Sequence, residues 1–129
     1  MITKATANLL VDSVEKSLSF FEAAGFKRTV EVPHHDKIGF AILECGGAEV
    51  MLQSVASALD DVTTLDPKDI KAALTYLFVE CDDLPAVERA LKAYDIVIPR
   101  RKTPYGADET GYREPGGHFV TFAQFAKKE

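Results

Sequence analysis

Polar side chains follow two glycine pairs in this sequence and have the chemistry needed to bind a small molecule. Glu49 and Gln53 come after Gly46-Gly47, and Thr121 comes after Gly116-Gly117, which lies 70 positions later. Alternate residues of a strand share a face, so the side chains of Glu49 and Gln53 point the same way. A carboxylate can pair with a cation there, and an amide or hydroxyl can orient a ligand by hydrogen bonding.

Two short apolar runs predict the leading strands beside these segments. Asn8 lies on the mixed polar and apolar face of the first run, and Tyr76 lies on the corresponding face of the second. Tyr76, Phe78 and Phe119 could form an aromatic wall for a ligand or could be ordinary core residues, because aromatic side chains dominate cores as well as interfaces.

Several familiar catalytic arrangements have no counterpart in the pattern. Neither a Ser-His-Asp set nor a glycine-rich nucleotide loop can be argued, and Cys45 and Cys81 have no evident activating partner. These cysteines are predicted to be free thiols in a reducing compartment. His34 and His35 are adjacent, so in an extended segment their side chains diverge and are predicted to be solvated rather than to share a metal; a surface or turn role is predicted for His118.

Length, composition and net charge limit the classes of protein to which this sequence can belong. The chain has 129 residues, 47% hydrophobic content and a formal net charge of -5, which favour one domain and argue against nucleic acid as a partner. The basic run Pro99–Lys102 is interpreted as a solvated strand end. No signal-peptide pattern and no apolar run of ~20 residues is present, so neither a membrane partner nor secretion is expected, and a cytoplasmic location is predicted.

The elements that must position these residues occur twice. The first half predicts strand, helix and three strands: 6–11, 14–24, 26–32, 38–45 and 48–53, with Pro33 ending the third element. The second half repeats the order from a strand at 74–79, a helix starting at Asp82-Asp83, a strand from Ile96, a loop at 103–106 and a hairpin of 109–113 with 118–124. Periodicity predicts helices on one face of a curved sheet and a mixed face toward a central cleft.

The predicted fold is therefore α+β, with two tandem βαβββ modules in a single domain of residues 1–129. Module 1 covers about residues 1–54, and module 2 covers about residues 73–129. Residues 55–72 are small and acidic, and are interpreted as a surface connector with one irregular helical turn at most.

With this repeat in hand, the chain resembles the vicinal oxygen chelate superfamily, which includes glyoxalase I, extradiol dioxygenases, fosfomycin-resistance enzymes and bleomycin-resistance proteins. The resemblance is carried by Val11–Phe21, Gly25-Phe26, Pro104-Tyr105-Gly106, Glu109 and Tyr112–His118. It places Tyr105, Glu109 and Tyr112 on the loop and strand that face the cleft mouth. The candidate ligand-binding residues are thus Asn8, Glu49, Gln53, Tyr76, Tyr105, Glu109, Tyr112 and Thr121.

The resemblance also implies where a divalent metal would be held in the superfamily's enzymes. Those positions carry Thr6, Met51, Leu74 and Thr121 here, and none is a normal ligand for such an ion. A shift of two residues would offer donors such as Asn8, Glu49 or Gln53, which are still too few for a closed or catalytic site. No metal site and no cofactor are therefore expected.

The pattern favours a binding protein over an enzyme. The preferred prediction is metal-independent sequestration of a small aromatic or cationic compound such as an antibiotic, similar to the bleomycin-resistance branch. The alternative is a metal-dependent lyase, isomerase or dioxygenase acting on a small organic substrate, which would use a divalent metal and need donors from a partner chain or the connector. A ligand-free interaction domain is a third possibility. The resemblance implies a homodimer.

Overall fold

The computed structural model describes residues 1–126, which form two compact units bounded at Ala73 and Leu74. The first unit, called module 1, contains β1 (Ala7–Val11), α1 (Val14–Ala23), β2 (Lys27–His34), β3 (Lys37–Cys45), β4 (Ala48–Ser54), α2 (Val55–Asp61) and α3 (Pro67–Ala72). The second, called module 2, contains β5 (Tyr76–Glu80), α4 (Leu84–Ala90), β6 (Asp95–Lys102), β7 (Ala107–Arg113) and β8 (Phe119–Phe125).

Each module folds around a four-stranded mixed sheet of the same topology. The strand orders are β1-β4-β3-β2 and β5-β8-β7-β6. In each sheet the first strand of the module pairs in parallel with its last strand, β1 with β4 and β5 with β8. The registers correspond, with Leu9 opposite Leu52 in one module and Leu77 opposite Val120 in the other. The prediction of an α+β fold with two βαβββ repeats is confirmed.

In module 1, helix α1 covers one face of the sheet. Ser13 caps the helix by accepting a hydrogen bond from the Lys16 backbone N–H at 3.2 Å. Leu18 and Phe21 of α1 are fully buried together with alternate strand residues such as Leu52. Burial of each such side chain stabilises the fold by ~1.5–3 kcal/mol, so this alternation fixes which face of every strand meets the helix.

In module 2, helix α4 has the corresponding position against β7 and β8. The Asp83 carboxylate caps it by accepting from the Ala86 backbone N–H at 3.1 Å. Leu84 and Leu91 are buried there, and so is Phe122 of β8. The same local signals, an acceptor before an amphipathic stretch and period-2 strands after it, therefore build both halves.

The segment between the two βαβββ repeats is more regular than predicted. It contains two short helices, α2 and α3, where the sequence was interpreted as a connector with at most one irregular turn. Ser54 caps α2 through the Ser57 N–H at 3.1 Å, and Asp66 caps α3 through the Lys68 N–H at 2.9 Å. Capping supplies the hydrogen bonds that short helices cannot make internally, which the compositional argument overlooked.

Strand β2 runs through Pro33 to His34, so the prediction that Pro33 ends the strand was wrong. Because β2 is the last strand in its sheet, the missing N–H of Pro33 removes no ladder bond on the outer side. The register shifts between Val32 and Pro33, which accommodates the ring.

Three further predictions concern polar and reactive residues. His118 is buried rather than at the surface, and its Nδ1 accepts a hydrogen bond from the Thr75 N–H at 2.9 Å. The basic run at the end of β6 is paired with acidic side chains, in agreement with a solvated strand end. Cys45 and Cys81 are free thiols. Among residues 1–126, no helix is both long and apolar enough to cross a membrane.

Candidate functional site

Each sheet has a face opposite its helix, and this face, called here the inner face, carries nearly all the candidate residues. In module 2 the helix-side residues Val120 and Phe122 are buried, whereas the alternating residues of β5 are exposed. Hydrogen bonds, ring contacts and register place the following residues on the inner face of module 2: Tyr76, Phe78, Ile98, Arg101, Tyr105, Glu109, Gly111, Arg113, Phe119, Thr121 and Phe125.

Three aromatic rings form an exposed cluster on this face. The ring centroids of Phe78 and Tyr105 are 6.4 Å apart, those of Phe78 and Phe125 are 6.4 Å apart, and those of Tyr105 and Phe125 are 6.0 Å apart. The exposed fractions are 45% for Phe78, 53% for Tyr105 and 38% for Phe125. Exposed aromatic groups held close together are a surface onto which planar or cationic groups can stack.

The polar hairpin loop at 103–106 holds Tyr105 in the cluster. The Thr103 hydroxyl accepts from the Ala107 N–H at 3.0 Å, and Gly106 has a φ of 89°, a conformation that glycine adopts without strain. The Tyr105 hydroxyl donates to Glu109 Oε1 at 2.6 Å. That hydrogen bond to a carboxylate raises the pKa of the Tyr105 phenol above its ordinary value.

Glu109 is the buried polar group beneath this cluster, with an exposed fraction of 1%. Its second carboxylate oxygen accepts from Arg101 Nε at 2.9 Å, and the Arg101 side chain is 52% exposed. The carboxylate is therefore already neutralised by Arg101 and oriented by Tyr105. It can pair directly with a cationic ligand only where Arg101 moves away, so its main effect is to fix the position of the tyrosine ring.

Two other candidate residues, Tyr76 and Thr121, are brought together on the same face beside the aromatic cluster, because Thr121 is the register partner of Phe78. The Thr121 hydroxyl donates to the Tyr76 hydroxyl at 2.8 Å, and Tyr76 is 54% exposed whereas Thr121 is buried. Thr121 thereby orients the phenol of Tyr76, whose ring remains open to a ligand. Nearby, the Arg113 guanidinium lies 5.4 Å from the centre of the Phe119 ring.

The structure does not bring Tyr112 to this face. Its side chain is 1% exposed and lies on the helix side, edge-on to Phe122 at 6.1 Å. Burial raises the pKa of its phenol. Strand parity gave a signal for this, because Glu109 and Tyr112 are three residues apart and such residues of one strand point to opposite faces.

The inner face of module 1 combines polar groups with apolar residues such as Phe40 and Met51. Asn8 donates from Nδ2 to Gln53 Oε1 at 3.0 Å, so these two candidates form an amide pair across β1 and β4. The Glu49 carboxylate accepts from Lys4 Nζ at 2.9 Å and from the Thr6 hydroxyl at 2.9 Å. The hydrogen bond from Lys4 is the larger cause that lowers the pKa of Glu49.

The positions at which the superfamily resemblance implies metal ligands do not fit a metal. The hydroxyls of Thr6 and Thr121 are engaged with Glu49 and Tyr76 respectively. The other two positions carry the thioether of Met51 and the alkyl side chain of Leu74, which is 67% exposed. This donor set lacks the imidazole and carboxylate groups that hold divalent ions, so no metal chemistry can be built on it.

A different cluster does carry such groups, and the sequence interpretation missed it. His34, His35 and Asp60 of module 1 place one potential ligand atom each within 4.8 Å of one another. Among residues 1–126 they are the only group of three or more His, Cys, Asp or Glu side chains so arranged. The prediction that the adjacent histidines point apart was wrong, because His35 is not extended but has a φ of 57°.

Grooves accompany both modules. In module 1 a groove of about 540 Å³ is lined by Val32, His34, Phe40, Gln53, Ser57, Asp60 and Asp61. In module 2 a groove of about 690 Å³ lies beside the start of α4 and the end of β8, away from most of the aromatic cluster. Its basic residues Arg100 and Lys102 already pair with Glu88 and Asp108, which leaves the aromatic cluster as the better surface for a ligand.

Comparison with known proteins gives a single family. The sequence model of the Glyoxalase/Bleomycin resistance protein/Dioxygenase superfamily matches residues 4–122. No curated protein shows significant sequence similarity to this chain.

Solved structures that share this fold have low sequence identity to this chain. TioX from Micromonospora sp. ML1 has 20% identity and a TM-score of 0.77, over 97% of this chain and 100% of that one. A bleomycin resistance determinant encoded on the transposon Tn5 has 19% identity and a TM-score of 0.67, over 98% and 100%. A bleomycin-binding protein complexed with bleomycin has 19% identity and a TM-score of 0.65, over 97% and 100%.

Proposed function

We propose that this protein binds a small aromatic or cationic compound and sequesters it without using a metal. The premise is that the chain belongs to the Glyoxalase/Bleomycin resistance protein/Dioxygenase superfamily. The observation that carries the proposal is the exposed cluster of Phe78, Tyr105 and Phe125 on the inner face of module 2. Two proteins of similar fold are described as a bleomycin resistance determinant and a bleomycin-binding protein, so an antibiotic of that kind is the first ligand to test.

The chemistry of the cluster favours a ligand with a planar or cationic group. Aromatic pairs contribute ~0.5–1.5 kcal/mol beyond the area they bury, and a cation over a ring face contributes ~0.5–2 kcal/mol. Several such contacts, added to apolar burial, are enough for micromolar affinity, which corresponds to about -8 kcal/mol. The net charge of -5 also favours the approach of a cation.

The polar residues of the proposed site orient its aromatic groups. Glu109 fixes Tyr105, and Thr121 fixes Tyr76, so both phenol rings are held before a ligand arrives. Such preorganisation improves affinity because less side-chain entropy is lost on binding. The amide pair of Asn8 and Gln53 and the carboxylate of Glu49 place polar groups on the inner face of module 1, and hydrogen bonding of these groups to a ligand stays a prediction.

Isothermal titration with bleomycin, and separately with the planar aromatic cation ethidium, tests the proposal. Phe78→Ala removes the ring that contacts both other members of the cluster and is expected to weaken binding about tenfold, equal to ~1.4 kcal/mol. Ile96→Ala is the matched control, because Ile96 is an exposed apolar residue of the same module in register with Tyr112, on the helix side.

Binding that Ile96→Ala leaves unchanged and Phe78→Ala weakens would support the site. Equal affinities of the wild type and Phe78→Ala would contradict it, whichever compound binds. No heat from either compound at high protein concentration would reject these ligands, and with them the bleomycin-type assignment.

A metal-dependent lyase, isomerase or dioxygenase is not favoured by any observation at the inner faces. The positions implied for metal ligands offer no imidazole and no carboxylate, and Glu49 is held by Lys4 and Thr6. We therefore retain a binding role as the proposal. Turnover of a small organic substrate that depends on an added divalent ion would favour the enzyme instead.

We further propose that the protein acts as a homodimer in the cytoplasm. Val30 and Val32 are exposed apolar residues on β2, the last strand in the order of its sheet, and such strands favour pairing or cover. The two free thiols agree with a reducing compartment. Sedimentation equilibrium giving the mass of two chains would support the dimer, and the mass of one chain at micromolar concentration would contradict it.

A further inference from the structure

We propose that His34, His35 and Asp60 form a binding site for a divalent transition metal of the zinc class. The site belongs to module 1 and uses none of the four positions at which the superfamily resemblance implies metal ligands. It is independent of the aromatic cluster of module 2, on which the proposed binding function depends.

The backbone of the β2–β3 turn brings the two imidazoles together. Strand β2 continues through Pro33 to His34, and the two-residue turn of His35 and Asp36 follows. His35 has a φ of 57°, a left-handed conformation that is uncommon outside glycine but is adopted more often by asparagine, aspartate and histidine than by other residues. As a result the ring centroids of His34 and His35 are 4.4 Å apart with planes inclined at 60°.

The carboxylate comes from helix α2. His34 Nε2 lies 2.7 Å from Asp60 Oδ2, and His35 Nε2 lies 4.0 Å from the same oxygen. Bonds of ~2.0–2.2 Å to a tetrahedral zinc ion place its ligand atoms about 3.4 Å apart. The observed separations bracket this value, so side-chain rotations that move the donor atoms by about an ångström bring the three donors to bonding distance from one ion.

The cluster combines fixed backbones with adjustable side-chain tips. A Cβ atom at Gly39 would lie 2.5 Å from the Cβ of His34, so β2 and β3 approach closely at this point. Helix α2 is anchored by its Ser54 cap. By contrast, the side chains of His35 and Asp60 are 79% and 67% exposed, so neighbouring atoms leave them room to rotate toward an ion.

The donors determine which metals fit. Two imidazoles and one carboxylate suit zinc, copper, nickel or iron, whereas magnesium and calcium prefer oxygen ligands only. Three protein ligands leave a coordination position open. His34 and Asp60 also line the groove of about 540 Å³ that includes Phe40 and Gln53, so a bound ion would border space for a further small ligand.

Calorimetric titration of the tag-free, chelator-treated full chain with zinc, nickel and magnesium salts tests the site. One zinc ion per chain, binding of nickel and no heat from magnesium are expected. His35→Asn is the sharpest variant, because asparagine tolerates the left-handed conformation while the imidazole is lost. His35→Asn and Asp60→Asn are each expected to weaken zinc binding about tenfold or more.

Asp61→Asn is the matched control, since Asp61 is an exposed carboxylate of the same helix outside the cluster. It is expected to change zinc affinity by less than about twofold. Circular dichroism verifies that each variant folds, and Asp60→Asn decides the question where His35→Asn does not fold. The absence of zinc and nickel binding would overturn the proposal, and so would equal weakening by Asp60→Asn and Asp61→Asn. Neither result bears on bleomycin or ethidium binding by the aromatic cluster.

Discussion

The pair of Arg101 and Glu109 provides the sharpest test of how the inner face of module 2 is held. These residues are cross-strand partners of β6 and β7, with both Arg101 Nε and a terminal guanidinium nitrogen 2.9 Å from Glu109 Oε2. The carboxylate is 1% exposed and the arginine side chain is 52% exposed. The energetic consequences of removing the two partners should therefore differ.

The magnitude follows from this uneven burial. Removing one partner of a fully buried pair costs ~3–5 kcal/mol, while fully exposed pairs contribute ~0.2–1 kcal/mol. Because Arg101 is half exposed to water, Arg101→Ala is expected to cost about 2 kcal/mol of the free energy of unfolding. In a double-mutant cycle with Glu109→Gln, which keeps an acceptor for Tyr105, a coupling energy of about 1 kcal/mol is expected.

Urea unfolding followed by circular dichroism measures the cycle. The neighbouring pair of Lys102 and Asp108 is a matched control, because it is also cross-strand but its side chains are 88% and 40% exposed. Its coupling should stay below ~0.5 kcal/mol. Additive effects of Arg101→Ala and Glu109→Gln within ~0.5 kcal/mol would refute the reasoning that burial strengthens this pair.

Three further results are expected. The phenol of Tyr105 should ionise above the usual pH range for tyrosine, so an ultraviolet titration of Tyr105→Phe should lack one tyrosine that ionises at high pH in the wild type. Because the pKa is raised in the folded state, this group stabilises the folded protein at lower pH, and that stabilisation is lost as the pH rises through the folded-state pKa. Lys4→Ala should move the lowered pKa of Glu49 back up in a carboxyl-detected NMR titration, and an unchanged value would contradict the assigned cause. Gly39→Ala should destabilise module 1 by ~1–3 kcal/mol in thermal unfolding, because its Cβ would meet that of His34 at 2.5 Å, whereas an unchanged melting temperature would show that the strands can separate there.

Much of the fold was predictable because its determinants are local. Ser13 and Asp83 each place a hydrogen-bond acceptor directly before an amphipathic stretch, and both cap helices. Alternation of apolar residues placed Val50 and Leu52 on the helix side, where they are buried. Each of these signals depends on neighbours a few residues away, which is the range over which sequence patterns are informative.

The sequence between the two βαβββ repeats contains a helix-start pattern that the prediction of a connector did not take into account. Asp66 followed by Pro67 is a capping residue followed by a proline at the first helical position, and this pattern is typical of a helix start. Composition alone favoured a surface connector because small and acidic residues also occur in loops. The specific order of residues was more informative than their average properties.

The site was less predictable because it depends on pairings across strands and on one backbone angle. The separation of Tyr112 from Glu109 follows from strand parity and could have been inferred. His118 is buried and accepts a hydrogen bond from Thr75, which is 43 residues away, beyond the range of local sequence patterns. His34 and His35 come together because His35 adopts a left-handed backbone conformation in a two-residue turn. The turn contains neither glycine nor asparagine, the residues that most often indicate such a conformation in a sequence.

The division of each sheet into a helix-covered face and an inner face has a consequence for how the protein can change. Both modules keep the same strand order, yet the inner face of module 1 carries the amide pair of Asn8 and Gln53 while that of module 2 carries an exposed cluster of three aromatic rings. Residues that determine folding and residues that contact the outside thus alternate along the same strands. Substitutions at the exposed positions can therefore change the chemistry of an inner face at little expense to folding, so the surface of each half can diverge while its architecture is retained.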